Sequence, residues 1–412
     1  MGRWAYVAWM LLVANPLLAE DWPQWRGPRA DSTWKGPELP DHLPSELPVA
    51  WKQPIGGGYG GISVADGRLY VMDRQKEPAE VERVLCFDAD TGRSLWTHAY
   101  PVTYGKLDYG NGPRATPTVH EGFVYTLGAV GHVMCLDART GAVRWSKDLV
   151  KDFGAKIPEW GLAASPFVCE DLVVIHPGAA NGGCWIAFDR QNGNEAWRAG
   201  DDPAGYATPI LAQSPSGPQL IAWSPEHVVG IAPRTGRVLW QIPYKVTYGV
   251  SIATPIYRDG LVFVAGYWEG AKAIELGPKP TDAHIAWEDS RLLRGLMAPP
   301  LYRQGYAYLL DKQYGLTCFE MKTGKKLWDD DNRMTPRGRN PQASLVWLGD
   351  SDRALILNSE GELILARLTP AGYDERSRTP IIGPTWAHPA FAGNRIYARN
   401  DTELISVTLP SK

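Results

Sequence analysis

Cysteine is scarce in this chain and poorly placed for chemistry. There are five in 412 residues (Cys86, Cys135, Cys169, Cys184 and Cys318), none adjacent and none forming C-x-x-C. That removes sequence support for a zinc cluster, a c-type haem attachment or a thioredoxin-like redox pair. Basic excess is also lacking. With a formal net charge of -3 the chain has no surplus Lys and Arg to neutralise phosphates, so a nucleic-acid partner is not expected. No G-x-S-x-G, H-E-x-x-H or G-x-x-x-x-G-K-S/T occurs, and the eight His are scattered without ligand spacing, so no metal site is expected. Long apolar runs are missing beyond Trp4 to Ala14, which follows Arg3 and precedes Leu17-Leu18-Ala19. Residues 1–19 read as a signal peptide cut before Glu20, the other reading being an uncleaved anchor. No Cys follows the cut, so lipidation is not expected. The mature chain is expected to be periplasmic or extracellular, without a membrane span, and monomeric.

What the chain does have is 18 Trp, 43 Gly and 34 Pro, a mixture that favours short strands and many turns over long helices. Its length exceeds the roughly 250–300 residues that one core supports, so it has several domains or adds small cores by repetition. Repetition is visible. Cys86-Phe-Asp-Ala-Asp-Thr-Gly92-Arg-Ser-Leu-Trp96 recurs from Cys135 to Trp145, Ala187 to Trp197, Gly230 to Trp240 and Cys318 to Trp328, with Gly and Trp always seven and eleven places along. The polar centre of each copy is a hairpin turn, with Gly supplying positive φ. Its first position holds only small residues, so Cys86, Cys135 and Cys318 read as filling an Ala-sized slot. The Trp can bury a large area against the neighbouring repeat.

Two more strands precede each hairpin, giving four antiparallel strands in about 45 residues, the size of a propeller blade. A copy ending at Trp287 has its turn enlarged through Gly277-Pro278-Lys279-Pro280, and another keeps Ala366 and Gly372 but has Arg376 in place of Trp. After residue 385 only three strands remain, while Val49-Ala50-Trp51 is an orphan last strand. The fold class is therefore all-β, an eight-bladed β-propeller of four-stranded antiparallel blades whose ring is closed by an N-terminal strand. Seven blades and an open solenoid are the alternatives. Residues 44–409 form the propeller and residues 20–43 an extended N-terminal segment. Trp51, Trp96, Trp145, Trp197, Trp240, Trp287 and Trp328 dock blade to blade.

The repeated A-x-D-x-x-T-G-x-x-x-W pattern resembles the tryptophan-docking motif of the pyrroloquinoline-quinone (PQQ) repeat family. That family includes quinoprotein alcohol dehydrogenases and the propeller of the outer-membrane-protein assembly lipoprotein, which does no chemistry. The resemblance covers roughly residues 44–409 and implies fold more than function. The opening Asp21-Trp22-Pro23-Gln24-Trp25-Arg26-Gly27-Pro28 is similar to the mature start of secreted PQQ-like propellers. The adjacent cysteines and the quinohaem C-x-x-C-H of the enzymes are missing, and no calcium ligands can be matched. PQQ with calcium is accordingly disfavoured as a cofactor.

In such a ring, ligands meet the loops that lead into the channel-lining strands. Aligned on the Pro of those strands, the mouth should hold Tyr59, Arg114, Glu159, Trp160, Tyr206, Tyr248, Arg294, Asn340, Trp386 and His388. Arg with aromatics suits a planar anion; equally, these residues plug the channel. Catalytic residues cannot be assigned. Two functions follow: a non-catalytic scaffold that binds a protein or small ligand, or a PQQ-dependent alcohol or sugar dehydrogenase.

Overall fold

The computed structural model describes residues 20–412, Leu296 excepted, so the expected signal peptide lies outside the described residues. The polar Asp-x-x-Thr-Gly turns break the chain into short strands, which pair as eight antiparallel four-stranded sheets arranged as propeller blades. Blade 1 comprises Ser63–Ala65, Arg68–Gln75, Val81–Asp88 and Ser94–Pro101. Blade 8 is built from Ala390–Ala392, Arg395–Arg399 and Glu403–Thr408, with Val49–Pro54 as its outer strand. The ring is thus closed by the N-terminal strand, leaving no unpaired blade edge at the seam.

The repeat explains itself in the packing. In the first three copies an Asp carboxylate accepts from the turn, as Asp88 Oδ1 takes the Thr91 N–H at 2.9 Å and its hydroxyl at 2.8 Å; Glu320 does so in the fifth, and the fourth has Ala232 there. The small first residue pairs directly across from the Trp, as Cys86 does with Trp96, Cys135 with Trp145, Ala187 with Trp197 and Cys318 with Trp328. A bulge beside each pair turns the indole sideways onto the next blade. There Trp51 Nε1 donates to Ala89 O at 3.0 Å, Trp96 to Ala138 O at 3.1 Å, Trp145 to Arg190 O at 3.0 Å and Trp197 to Pro233 O at 2.9 Å. Trp287 and Trp328 repeat this on Met321 and Thr369. The ring lies under the turn glycine so closely that a Cβ on Gly92, at φ +71°, would stand 2.6 Å from Trp51. Gly is needed there both for the left-handed backbone and for the space. Tyr70, Tyr125 and Tyr397 donate to the same Ala138, Arg190 and Ala89 carbonyls, so both lone pairs of each acceptor are used.

The exceptions have local causes. Blade 5 has the enlarged turn, so Trp240 donates instead to Gln219 Oε1 at 2.7 Å, and Gln219 reaches Pro280 O at 3.4 Å. In blade 7 Arg376 falls in the bulge and pairs with Asp374 at 3.0 Å.

Residues 20–48 do more than lead into the ring. The loops arriving from each preceding blade form one face of the disc (the loop face), and the turns that end the inner strands form the other (the turn face). Trp22 exchanges backbone bonds with Val64, and Pro23 O accepts from Val119, both on inner strands approaching the turn face. Trp25 Nε1 reaches Thr254 Oγ1 at 2.8 Å on the far side of the ring, and Thr33–Trp34 adds a parallel strand to Ala343–Leu348 of blade 7. Trp34, fully buried, packs on Phe391. This strap closes the bore at the turn face and ties blades 1, 2, 5, 7 and 8 together.

All five cysteines are free and buried, and burial pushes the Cys86, Cys135 and Cys318 thiols up to about 12. A thiol titration of unfolded, unreduced protein should therefore count five; a count of three or fewer would show a disulfide. Trp51→Ala should cost about 3–5 kcal/mol in urea unfolding, and deletion of residues 20–51 should cause aggregation or a much earlier melt. A truncated chain that stays monomeric with unchanged Tm would refute closure by this strand.

Candidate functional site

The loop-face mouth is lined by aromatics held on loops between blades. Tyr59, on the way into blade 1, and Trp386, on the way into blade 8, lie 5.8 Å apart by ring centroid. Tyr109, from the loop between blades 1 and 2, packs on both, at 6.5 Å from Tyr59 and 5.6 Å from Trp386. Its hydroxyl accepts from Asn340 Nδ2 at 3.3 Å, and the carbonyl of the adjoining Arg339 accepts from Tyr267 at 2.7 Å. Tyr267 packs on Trp268 at 4.3 Å, and Trp268 on Tyr248 at 5.4 Å. A continuous crescent thus runs around the mouth from blade 8 to blade 5.

The expected residues distribute unevenly over this crescent. Arg114 is at the mouth, its guanidinium 5.7 Å from the centre of the Tyr59 ring, yet it is not free for an anion. It donates to Asp108 O at 2.9 Å, to Tyr109 O at 2.7 Å and to Gly112 O, and so serves to fold its own loop. Trp160 and Tyr206 pack tilted against each other at 5.8 Å, and Trp160 Nε1 donates to Asp108 Oδ2 at 3.2 Å. Glu159 is exposed and joins only through its backbone carbonyl, which accepts from Asp108. Arg294 lies toward blade 6, apart from Arg114, where its carbonyl accepts the Lys312 N–H at 3.0 Å. Arg114 and Trp386 thus both lie beside Tyr59 at the mouth, while Arg294 is carried on a separate loop.

His388 corrects the expectation most clearly. It belongs to the bore, not the mouth, with Trp25 of the strap edge-on to its ring at 4.3 Å and Gln342 Nε2 at 3.3 Å from Nε2. Desolvation, with the nearby Arg26 charge, lowers its pKa to about 3.

Reading the strand alignment alone missed Tyr109, Tyr267, Trp268 and Lys312. The last sits with its ammonium 3.9 Å from the centre of the Tyr267 ring and 5.1 Å from that of Trp268. Among the described residues the exposed aromatics are Tyr109, Tyr248 and Trp268, at 37, 71 and 40% exposure, and all three stand on the loop face. Tyr109 and Tyr248 have φ of +47° and +55°, a conformation costly for a bulky residue and concentrated at functional sites. The signal available in sequence was Tyr248-Gly249 and Tyr109-Gly110, aromatics in turn-forming contexts.

Outside the mouth, an open groove of about 480 Å³ between blades 1 and 2 is lined by Leu107, Val130, Val150 and Ile157 with Tyr104 and His132. Nearby, the buried Glu82 accepts from Tyr100 at 2.6 Å, from Tyr104 and from the Ala129 N–H at 2.9 Å, a satisfied brace between the blades. No group of three or more His, Cys, Asp or Glu among the described residues is placed to hold a metal ion.

Two desolvated histidines, His388 half-buried and His176 buried, set an acid limit. His176, stacked on Trp185 at 3.6 Å, is also lowered to about 3 by desolvation. Between pH 6.5 and about 3 the unfolded chain binds protons at these sites and the folded chain does not, so stability falls as pH falls through that window. Urea unfolding at pH 7 and pH 5 should show this loss, and His176→Gln with His388→Gln should flatten it. An unchanged slope in the double variant would contradict the assignment.

Comparison with known proteins agrees with the fold. The family model described as outer membrane protein assembly factor BamB matches residues 80–279 and 224–410. Outer membrane protein assembly factor BamB of Moranella endobia (strain PCIT) is 21% identical over 301 residues, covering 68% of this chain and 70% of that protein. Among solved structures, the quinohemoprotein alcohol dehydrogenase of Comamonas testosteroni superposes with a TM-score of 0.68 at 15% identity, over 95% of this chain and 81% of that one. BamB of Moraxella catarrhalis gives 0.59 at 17% identity, over 88% and 99%. The structural likenesses speak for the fold alone, but the family match spans most of the ring. The chain belongs to the PQQ-repeat propeller family described as outer membrane protein assembly factor BamB.

Proposed function

We propose that this protein is an exported, non-lipidated, periplasmic scaffold that binds another protein through the aromatic crescent of its loop face. The observation that carries this reading is the pair Tyr109 and Tyr248, held in left-handed backbone with their rings turned to solvent. Stability gains little from such an arrangement, whereas large rigid aromatics are the usual anchors of protein interfaces. The family match supports the same reading, since its named members are assembly factors rather than enzymes. A quinoprotein dehydrogenase is the less favoured alternative. The Arg114 guanidinium is already taken by carbonyls, and Glu159 and Asp108 stand exposed on separate loops.

A photo-crosslinking residue at position 248 should give a discrete protein adduct in the producing cell, and one at Ala371 on the turn face should not. Trp268→Ala should weaken capture about tenfold or more. Absence of any adduct from the loop face, with saturable PQQ binding and alcohol-dependent dye reduction in the presence of calcium, would replace this reading by the enzymatic one.

A further inference from the structure

One limb of the loop-face crescent gathers cations as well as aromatics. Lys312, in the turn between the second and third strands of blade 6, rests its ammonium on Tyr267, 3.9 Å from the ring centre, and faces Trp268 at 5.1 Å. Its backbone N–H donates to Arg294 O at 3.0 Å, which brings the loop from blade 5 alongside. The loop from blade 6 to blade 7 arrives from another side, where Tyr267 donates to Arg339 O at 2.7 Å, and Arg337 and Arg339 are both exposed. Three segments far apart in the chain thus bring Arg294, Lys312 and Arg339 to the same end of the mouth. None of the three forms an ion pair among the described residues, and Arg294 Nε is buried without a partner.

The two carboxylates close to these cations are committed to the backbone. Asp311, 1% exposed, accepts the N–H groups of Arg294 at 2.7 Å, Gln313 at 2.7 Å and Tyr314 at 2.9 Å. Glu269 accepts those of Thr247 at 2.8 Å and Trp268 at 3.2 Å. Partial burial, and then the Arg294 charge, pull the Lys312 pKa down against the opposite pull of Asp311 and Glu269. A carboxylate arriving from solvent would relieve that repulsion, and it would find ring surface beside it. The other limb limits what can bring it. Around Tyr59 the charges are Asp401, Arg114 and Asp108, and Arg114 is committed to the carbonyls of its own loop. A uniform polyanion such as single-stranded nucleic acid needs a basic groove along its whole track, and the two carboxylates at this end repel it. A polypeptide can place acidic side chains at one limb and apolar or aromatic ones along the rest.

We propose that the crescent selects an acidic, aromatic-containing stretch of polypeptide, with its carboxylates on Lys312, Arg294 and Arg339 and its rings against Trp268 and Tyr248. The inference rests on the loop face being a protein-binding surface and adds the chemistry that this surface prefers. The aromatics supply contact area, and the cations decide which segment is accepted.

Fluorescence anisotropy of the whole protein with labelled synthetic peptides reads this directly. One peptide alternates Asp with Phe, a second has Asn for each Asp, and a third has Lys there. The Asp peptide should bind about tenfold or more tighter than the Asn peptide, and the Lys peptide more weakly than either. Lys312→Glu combined with Arg339→Glu should remove the preference for Asp over Asn. Should that pair lower Tm, Lys312→Gln with Arg339→Gln should reduce the preference in its place. Equal affinity for the Asp and Asn peptides, or a preference that survives both substitutions, would overturn the inference, while a protein adduct from position 248 would leave the scaffold reading standing. Oligothymidylate displacing the Asp peptide as well as unlabelled peptide does would overturn it in favour of a polyanion site. No binding of any peptide, together with no adduct from position 248, would remove the scaffold reading and this inference with it.

Discussion

The ring is held by one contact repeated around it, the indole N–H of an outer-strand Trp meeting a turn carbonyl of the next blade beneath that turn's glycine. Each feature of the repeat serves that contact. The small residue opposite the Trp lets the sheet bulge, the bulge swings the indole outward, and the Asp-x-x-Thr bonds fix the turn that presents the carbonyl. Six of the eight blades give such a Trp to the next, and the one given across the seam needs the ring to close. The strand Val49–Pro54 therefore has to come back to blade 8, and Trp51 dock on blade 1, for the circle to be complete.

The centre of the ring is handled differently. Eight inner strands cannot fill a bore by themselves, and here the N-terminal strap fills it from the turn face with Trp22, Trp25, Arg26 and Trp34. The molecule is asymmetric as a result, with one face sealed by its own chain and the other offering loops. On the loop face the rigid scaffold holds Tyr109, Tyr248 and Trp268 outward. A crescent of spaced aromatics with a single lysine at 3.9 Å from one ring suits a broad protein contact better than an enclosing pocket for a planar cofactor.

The sequence by itself determined the architecture, because the contact that makes the ring is local in the chain. Eleven residues contain the turn, the small partner and the Trp, so five clear copies and two altered ones were enough to count blades and to find the orphan strand ending at Trp51. The tryptophans that end the repeat were legible for the same reason, six of them donating to a carbonyl of the next blade, as were the three cysteines in small-residue positions. The tyrosines that share the docking carbonyls were not, since Tyr70 and Ala138 are far apart in the chain and no spacing links them. At the mouth, alignment on the inner-strand prolines found Tyr59, Trp386 and Asn340 but misplaced His388, because it indexed depth along a strand and took no account of what would cover the bore. Only the tertiary structure decided that. It brought Trp25 against His388, spent Arg114 on its own loop's carbonyls, and joined Tyr109 to Asn340 across more than two hundred residues. Local hydrogen bonding and size fix a repeat from its sequence, whereas the bore and the mouth are made where many blades meet, and their contents depend on packing between distant segments.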